Sequence, residues 1–167
     1  MLRRELRGTQ IVIMNRTILF AEDDAHDQSL LSVALRRVGL DESLHTVHHG
    51  QEAIDFLGGS DPLDAGAISP ALVMLSMSLR QGTALSVLQW IREQSRFDAT
   101  IVVLLALERD DKSLERAYSL GANSFILKPR GVEGWNRIAR AMREYWFGLN
   151  LAPASSRRSV QRVLQEH

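Results

Sequence analysis

The feature that most constrains this chain is an alternation of two kinds of segment. TILFA (17–21), LHTV (44–47), ALVMLS (71–76), TIVVLLA (100–106) and SFIL (124–127) are short and almost wholly apolar, and each is followed by a longer stretch with apolar residues at helical spacing. Strands without polar alternation are buried on both faces, as in a parallel sheet covered by helices. The helical sets are Leu30, Leu31, Ala34, Leu35 and Val38; Ala53, Ile54 and Leu57; Leu85, Leu88 and Ile91; Leu114, Ala117 and Leu120; and Trp135, Ile138, Ala139 and Met142. Gly39, the pair Gly58 and Gly59, and Gly121 stand where three of these helices should stop. Repeated strand-then-helix units with right-handed crossovers predict a parallel α/β sandwich, a five-stranded sheet with helices on both faces.

Composition narrows the function. At 167 residues and 45% hydrophobic, the chain can bury one sizeable core, and it reads as a single domain. It contains no cysteine, which excludes disulfide scaffolds, thiolate metal sites and cysteine nucleophiles. No apolar run approaches a membrane helix, and the N-terminus lacks the long apolar region and cleavage site of a signal peptide, so a soluble cytoplasmic protein is expected. The net charge of zero conceals two unlike parts: residues 1–16 carry +3, residues 150–167 carry +2, and the body between carries −5. An acidic body with short basic ends is a poor nucleic-acid binder. Residues 1–16 are read as an N-terminal extension, 17–147 as the domain, 148–167 as a tail, and GGSDPLDAGAISP as one long loop.

Open parallel sheets place their sites beyond the carboxyl ends of the strands, where the strand order reverses. For five strands in the order 2-1-3-4-5 that crevice lies between the ends of the first and third strands. The first strand runs into Glu22, Asp23 and Asp24, the third ends at Ser76, the fourth at Ala106, and the fifth leads into Lys128.

With ILFAEDD, the frame of the third strand, and RAYSLGANSFILKP at this spacing, residues 17–147 resemble the receiver domain of two-component response regulators, a flavodoxin-like fold. REYWFGLNLAP further resembles the tail of the single-domain regulators associated with bacterial and cyanobacterial phytochromes. The resemblance implies that two acids after the first strand hold Mg²⁺, an aspartate ending the third accepts a phosphoryl group, a Thr or Ser ending the fourth contacts it, and a lysine before proline pairs with it. By position the acids are Glu22 and Asp23, the lysine is Lys128, and Phe125 falls at the aromatic switch position. The aspartate falls on Ser76 and the hydroxyl residue on Ala106. After the third strand, Arg80 stands in place of a proline, and Thr83 and Ala84 in place of Asp-Gly.

A serine hydroxyl is a weak nucleophile without an adjacent base, and losing one carboxylate weakens a hard-cation site, so Mg²⁺ binding is expected to be weak or absent. The expected function is that of a pseudo-receiver: not an enzyme, but an interaction module for a sensor histidine kinase, of phytochrome type by the resemblance of the tail, and for a second copy of itself. The alternative is a phosphoacceptor that uses a non-standard acid such as Asp23 or Asp24. Structural readings stand beside these: Glu22 to Asp24 as an acidic helix start, Lys128 as their neutraliser, and Ser76 as a small residue bonded to Lys128 or Glu22. His45, His48 and His49 read as surface residues, since strand alternation separates His48 from His49 and no fourth ligand is near. Trp135, Tyr145, Trp146 and Phe147 are the candidate homodimer interface, because three consecutive aromatics about 100° apart on a helix cannot all face one core.

Overall fold

The structure is a computed structural model and describes residues 17–59 and 69–151. The N-terminal extension, most of the GGSDPLDAGAISP loop and the tail beyond Leu151, with Pro153, lie outside the described residues. Five strands, β1 (Ile18–Ala21), β2 (Leu44–Val47), β3 (Leu72–Ser76), β4 (Ile101–Ala106) and β5 (Ser124–Leu127), form one parallel sheet in the order β2-β1-β3-β4-β5. Between and after them run α1 (Ala25–Arg37), α2 (Gly50–Gly58), α3 (Ala84–Arg92), α4 (Asp111–Ser119) and α5 (Gly131–Ala141).

Alternate strand residues serve the two faces of the sheet. Leu19, Val73, Leu75, Val102 and Leu104 pack with Leu57, Val87, Leu88 and Ile91 of α2 and α3. Ile18, Phe20, Leu72, Met74, Val103 and Leu105 pack with Leu31 and Leu35 of α1 and Trp135 of α5. Each large side chain removed from water contributes about 1.5–3 kcal/mol, so the double layer accounts for strands that show no polar alternation. Local signals set the helix starts: Asp24, Thr83 and Asp110 accept bonds from backbone amides in the first turns of α1, α3 and α4. Gly39 (φ 71°) and Gly121 (φ 93°) supply the left-handed residues that turn the chain out of α1 and α4.

The end of the chain corrects part of the interface assignment. Trp135 is fully buried, with its ring edge-to-face with Phe20 at 6.1 Å, so it is a core residue and cannot meet a partner. Beyond Ala141 the helix widens into a π-helical turn, Met142–Leu149. A π-helix closes its bonds one residue later than an α-helix, so successive side chains diverge less than the 100° assumed for three consecutive aromatics. Trp146 and Phe147 consequently both pack against the α1/α5 layer, while Tyr145 is 53% exposed. The helical end also runs past residue 147 into the stretch read as tail.

Candidate functional site

Strand order places the ends of β1 and β3 side by side, and the turns that follow them open into a cleft of about 220 Å3 lined by Asp23, Asp24, Asp27, Ser78, Arg80 and Lys128, with Leu107 at its lip. Each lining group arrives by simple continuation of the fold. The Glu22 amide still donates to Val47 O (3.0 Å), extending the β1–β2 pairing, so Glu22 stays inside while Asp23 and Asp24 turn outward. Lys128 follows β5 and its amide donates to Ala106 O (2.7 Å), which aims the side chain back toward β1.

The acidic side is organised around one buried ion pair. Lys128 Nζ lies 2.6 Å from Glu22 Oε2 and 3.2 Å from Asp27 Oδ2, with the Lys128 side chain 5% and the Glu22 side chain 0% exposed. Burial pushes the Glu22 carboxyl above its usual range, against the pull of Lys128 and of the Asp24 amide that donates to Oε1 at 3.1 Å. Burial alone would depress Lys128, but the Glu22 and Asp27 carboxylates outweigh it and hold the ammonium above its usual range. Asp24 is spent on the helix: its Oδ1 accepts from the amides of His26 (2.7 Å) and Asp27 (3.2 Å), and these bonds lower its pKa. Gln28 Nε2 donates to Glu22 O (2.6 Å) and ties α1 to the strand end.

The β3 side is a relay of short polar side chains. Ser76 is fully buried, and its hydroxyl lies 2.8 Å from that of Ser78, not on Lys128 or Glu22 as the sequence suggested. Lys128 is drawn to two carboxylates, which bind an ammonium more strongly than a neutral hydroxyl does, and the turn after β3 brings Ser78 back over Ser76. Ser78 Oγ then donates to Asp23 Oδ1 (3.4 Å), and Arg80 Nε lies 3.2 Å from Asp23 Oδ2. Among the described residues no imidazole or carboxylate is bonded to the Ser76 hydroxyl to draw off its proton.

A sequence model of the response regulator receiver domain matches residues 18–137, the whole of the sheet and most of α5. The chain belongs to the response regulator receiver family. Its receiver is 32% identical over 136 residues to the probable methanogenesis regulatory protein FilR2 of Methanothrix harundinacea, covering 81% of this chain and 86% of that protein. Among solved structures it is similar to the phosphorylated cyanobacterial phytochrome response regulator RcpA (25% identity, TM-score 0.74, 83% of this chain and 98% of that one). It is also similar to the bacteriophytochrome response regulator RtBRR (28% identity, TM-score 0.64, 90% and 91%).

Ser76 is the buried last residue of β3, and the buried Ala106, at the end of β4, has no hydroxyl to offer. Phe125, on β5, is half-buried against the α3 side of the sheet. As a donor set for a hard divalent cation the crevice is poor. Glu22 is committed to Lys128, both oxygens of Asp23 are engaged by Ser78 and Arg80, and the end of β3 offers only a neutral serine. Among the described residues no three His, Asp or Glu side chains form a metal-holding group. The histidines point to separate tasks: His45 lies over Phe56, His48 meets Gln28, and His49 precedes α2.

Three participants escaped the sequence reading. Asp27 shares Lys128 with Glu22, and its place one helical turn beyond Asp23 and Asp24 is a signal that could have found it. Ser78 and Arg80 stand in the sequence only as loop residues; nothing local announces that the loop folds back over Asp23.

Proposed function

We propose that this receiver is a pseudo-receiver: it does not accept a phosphoryl group and works in the cytoplasm as a protein-interaction module of two-component signalling, binding a sensor histidine kinase and a second copy of itself. The observation that carries the reading is Ser76, a buried hydroxyl bonded to another hydroxyl at the place where a carboxylate nucleophile belongs. An alcohol so placed has no base to activate it, and a phosphoserine would be a stable ester rather than the labile acyl phosphate a relay needs. Ala106 removes the hydroxyl that would read the phosphoryl group, so the acceptor and its sensor are lost together.

The family membership supports the kinase as partner, and the similarity to RcpA and RtBRR supports a phytochrome-type sensor. A self-association surface is supported by the apolar groups left outside the core: Leu127 on β5, Tyr118 on α4, and Tyr145, Leu149 and Leu151 at the chain's helical end. Trp146 and Phe147 border this surface but spend much of their area on their own domain. Incubation with acetyl phosphate and Mg²⁺, followed by intact mass, tests the reading. Unmodified protein is expected; an adduct of about one phosphate per chain would refute it, an acid-stable, base-labile one marking phosphoserine and one labile to both acid and base marking an aspartyl phosphate.

A further inference from the structure

The loop that follows β3 is built to hold one particular cation over the crevice. The Gly50 amide donates to Arg80 O (3.2 Å) and the Gln51 amide to Gln81 O (2.8 Å), so the first turn of α2 grips the loop by its backbone. The approach is close enough that a Cβ on Gly50 would sit 2.1 Å from Gly82 O. Gln81 (φ 49°) and Gly82 (φ 104°) both take left-handed conformations to keep this seat. From that anchored backbone the Arg80 side chain reaches back across the cleft to Asp23, whose other oxygen already accepts from Ser78.

We propose that Arg80 is a resident counter-cation: it supplies the positive charge that a divalent metal would otherwise bring to Asp23, and so makes the crevice metal-independent. The proposal deepens the pseudo-receiver reading and rests on it. A guanidinium is charged at every working pH, and tethering holds it near Asp23 at an effective concentration no free ion matches. A metal at Asp23 would have to push Arg80 aside and then face it and Lys128 across a few ångströms, with one free carboxylate as compensation. The Arg80 side chain is 81% exposed, so it excludes the metal by its charge rather than by filling the space.

Mn²⁺ binding to the full chain at low ionic strength, followed by loss of the free-ion electron paramagnetic signal, tests this directly. The wild type and Arg80→Lys are expected to show no saturable site in the low-millimolar range. Arg80→Ala is expected to gain one, tighter by about tenfold or more from the removal of a like charge. Arg80→Ala/Asp23→Asn should lose that gain. Equal binding by wild type and Arg80→Ala, whether tight or absent, would overturn the proposal, and so would a gain that survives loss of the Asp23 carboxylate. Circular dichroism of each variant verifies that the fold is intact. The phosphorylation reading fails separately, by labelling of the wild type with acetyl phosphate, whatever the Mn²⁺ result.

Discussion

Lys128→Met removes the only cation that touches Glu22 among the described residues and leaves that carboxyl with no exposure to water. The energy can be bracketed, because Glu22 has two ways to respond. Left ionised, an unpaired buried charge costs about 3–5 kcal/mol. Protonated instead, it pays the cost of titrating from its ordinary value of 4.5, which at 1.36 kcal/mol per pH unit is about 5 kcal/mol near pH 8 and about 0.7 kcal/mol near pH 5. The cheaper route sets the loss: about 3–5 kcal/mol near pH 8 and under about 1 kcal/mol near pH 5, against a total stability of about 5–15 kcal/mol for a domain. The sign agrees with the linkage. A carboxyl whose folded pKa is raised contributes most below its unfolded value and loses that contribution as pH rises through the folded one, and removing Lys128 raises the folded value further. Urea unfolding at the two pH values, followed by tryptophan fluorescence and far-UV circular dichroism, measures it. Glu22→Gln/Lys128→Met should recover most of the loss near pH 8, since replacing both charges of a buried pair is far milder than orphaning one. A loss of the same size at both pH values, or below about 1 kcal/mol near pH 8, would refute the buried-pair argument.

Other outcomes follow from the same contacts. Gly50→Ala should destabilise by about 1–3 kcal/mol or more and loosen the loop after β3, because the new Cβ meets Gly82 O and neither backbone can yield without breaking the Arg80 and Gln81 bonds; urea unfolding checks it. Ser76→Asp should give at most slow labelling by acetyl phosphate, since Ala106 and Arg80 remain, and it should cost stability near neutral pH by adding a carboxylate at a buried position in the same cleft as Asp23; a rapidly labelled, fully stable variant would show that the site needs only its aspartate back. Asp24→Ala should lower the melting temperature, and the deficit should shrink as the solution is acidified: the Asp24 pKa is lowered by its bonds to α1, so its contribution is present above its unfolded value and fades as pH falls through the folded one. Tyr145→Ala/Leu149→Ala should reduce a light-scattering dimer to monomer without changing the melting temperature of the monomer, whereas Trp146→Ala should destabilise the monomer itself.

Much of the architecture was legible in the chain because it is written in short-range terms. The five apolar runs fall on the five strands to within a residue, Gly39 and Gly121 mark helix ends, and strands buried on both faces with right-handed crossovers make the sheet parallel, while its 2-1-3-4-5 order came with the receiver resemblance. The positions of Ser76 and Ala106 were equally plain, since each is simply the last residue of a strand whose frame is local. What the sequence could not decide is which partner each side chain chooses. Lys128 and Asp27 stand 101 residues apart and Asp23 and Ser78 are 55 apart, and the winner at each site depends on competition among groups that only folding brings within reach. Lys128 takes two carboxylates and leaves Ser76 to Ser78; Arg80, a loop residue by every local measure, becomes the counter-ion of Asp23 because the first turn of α2 seats its backbone. Trp146 and Phe147 turn inward for a similar reason: the π-helical turn that lets them both reach the core exists only where a core waits to receive them. Periodicity along one segment determines what that segment becomes, while the chemistry of a cleft built from three strand ends is settled by contacts that no single segment contains.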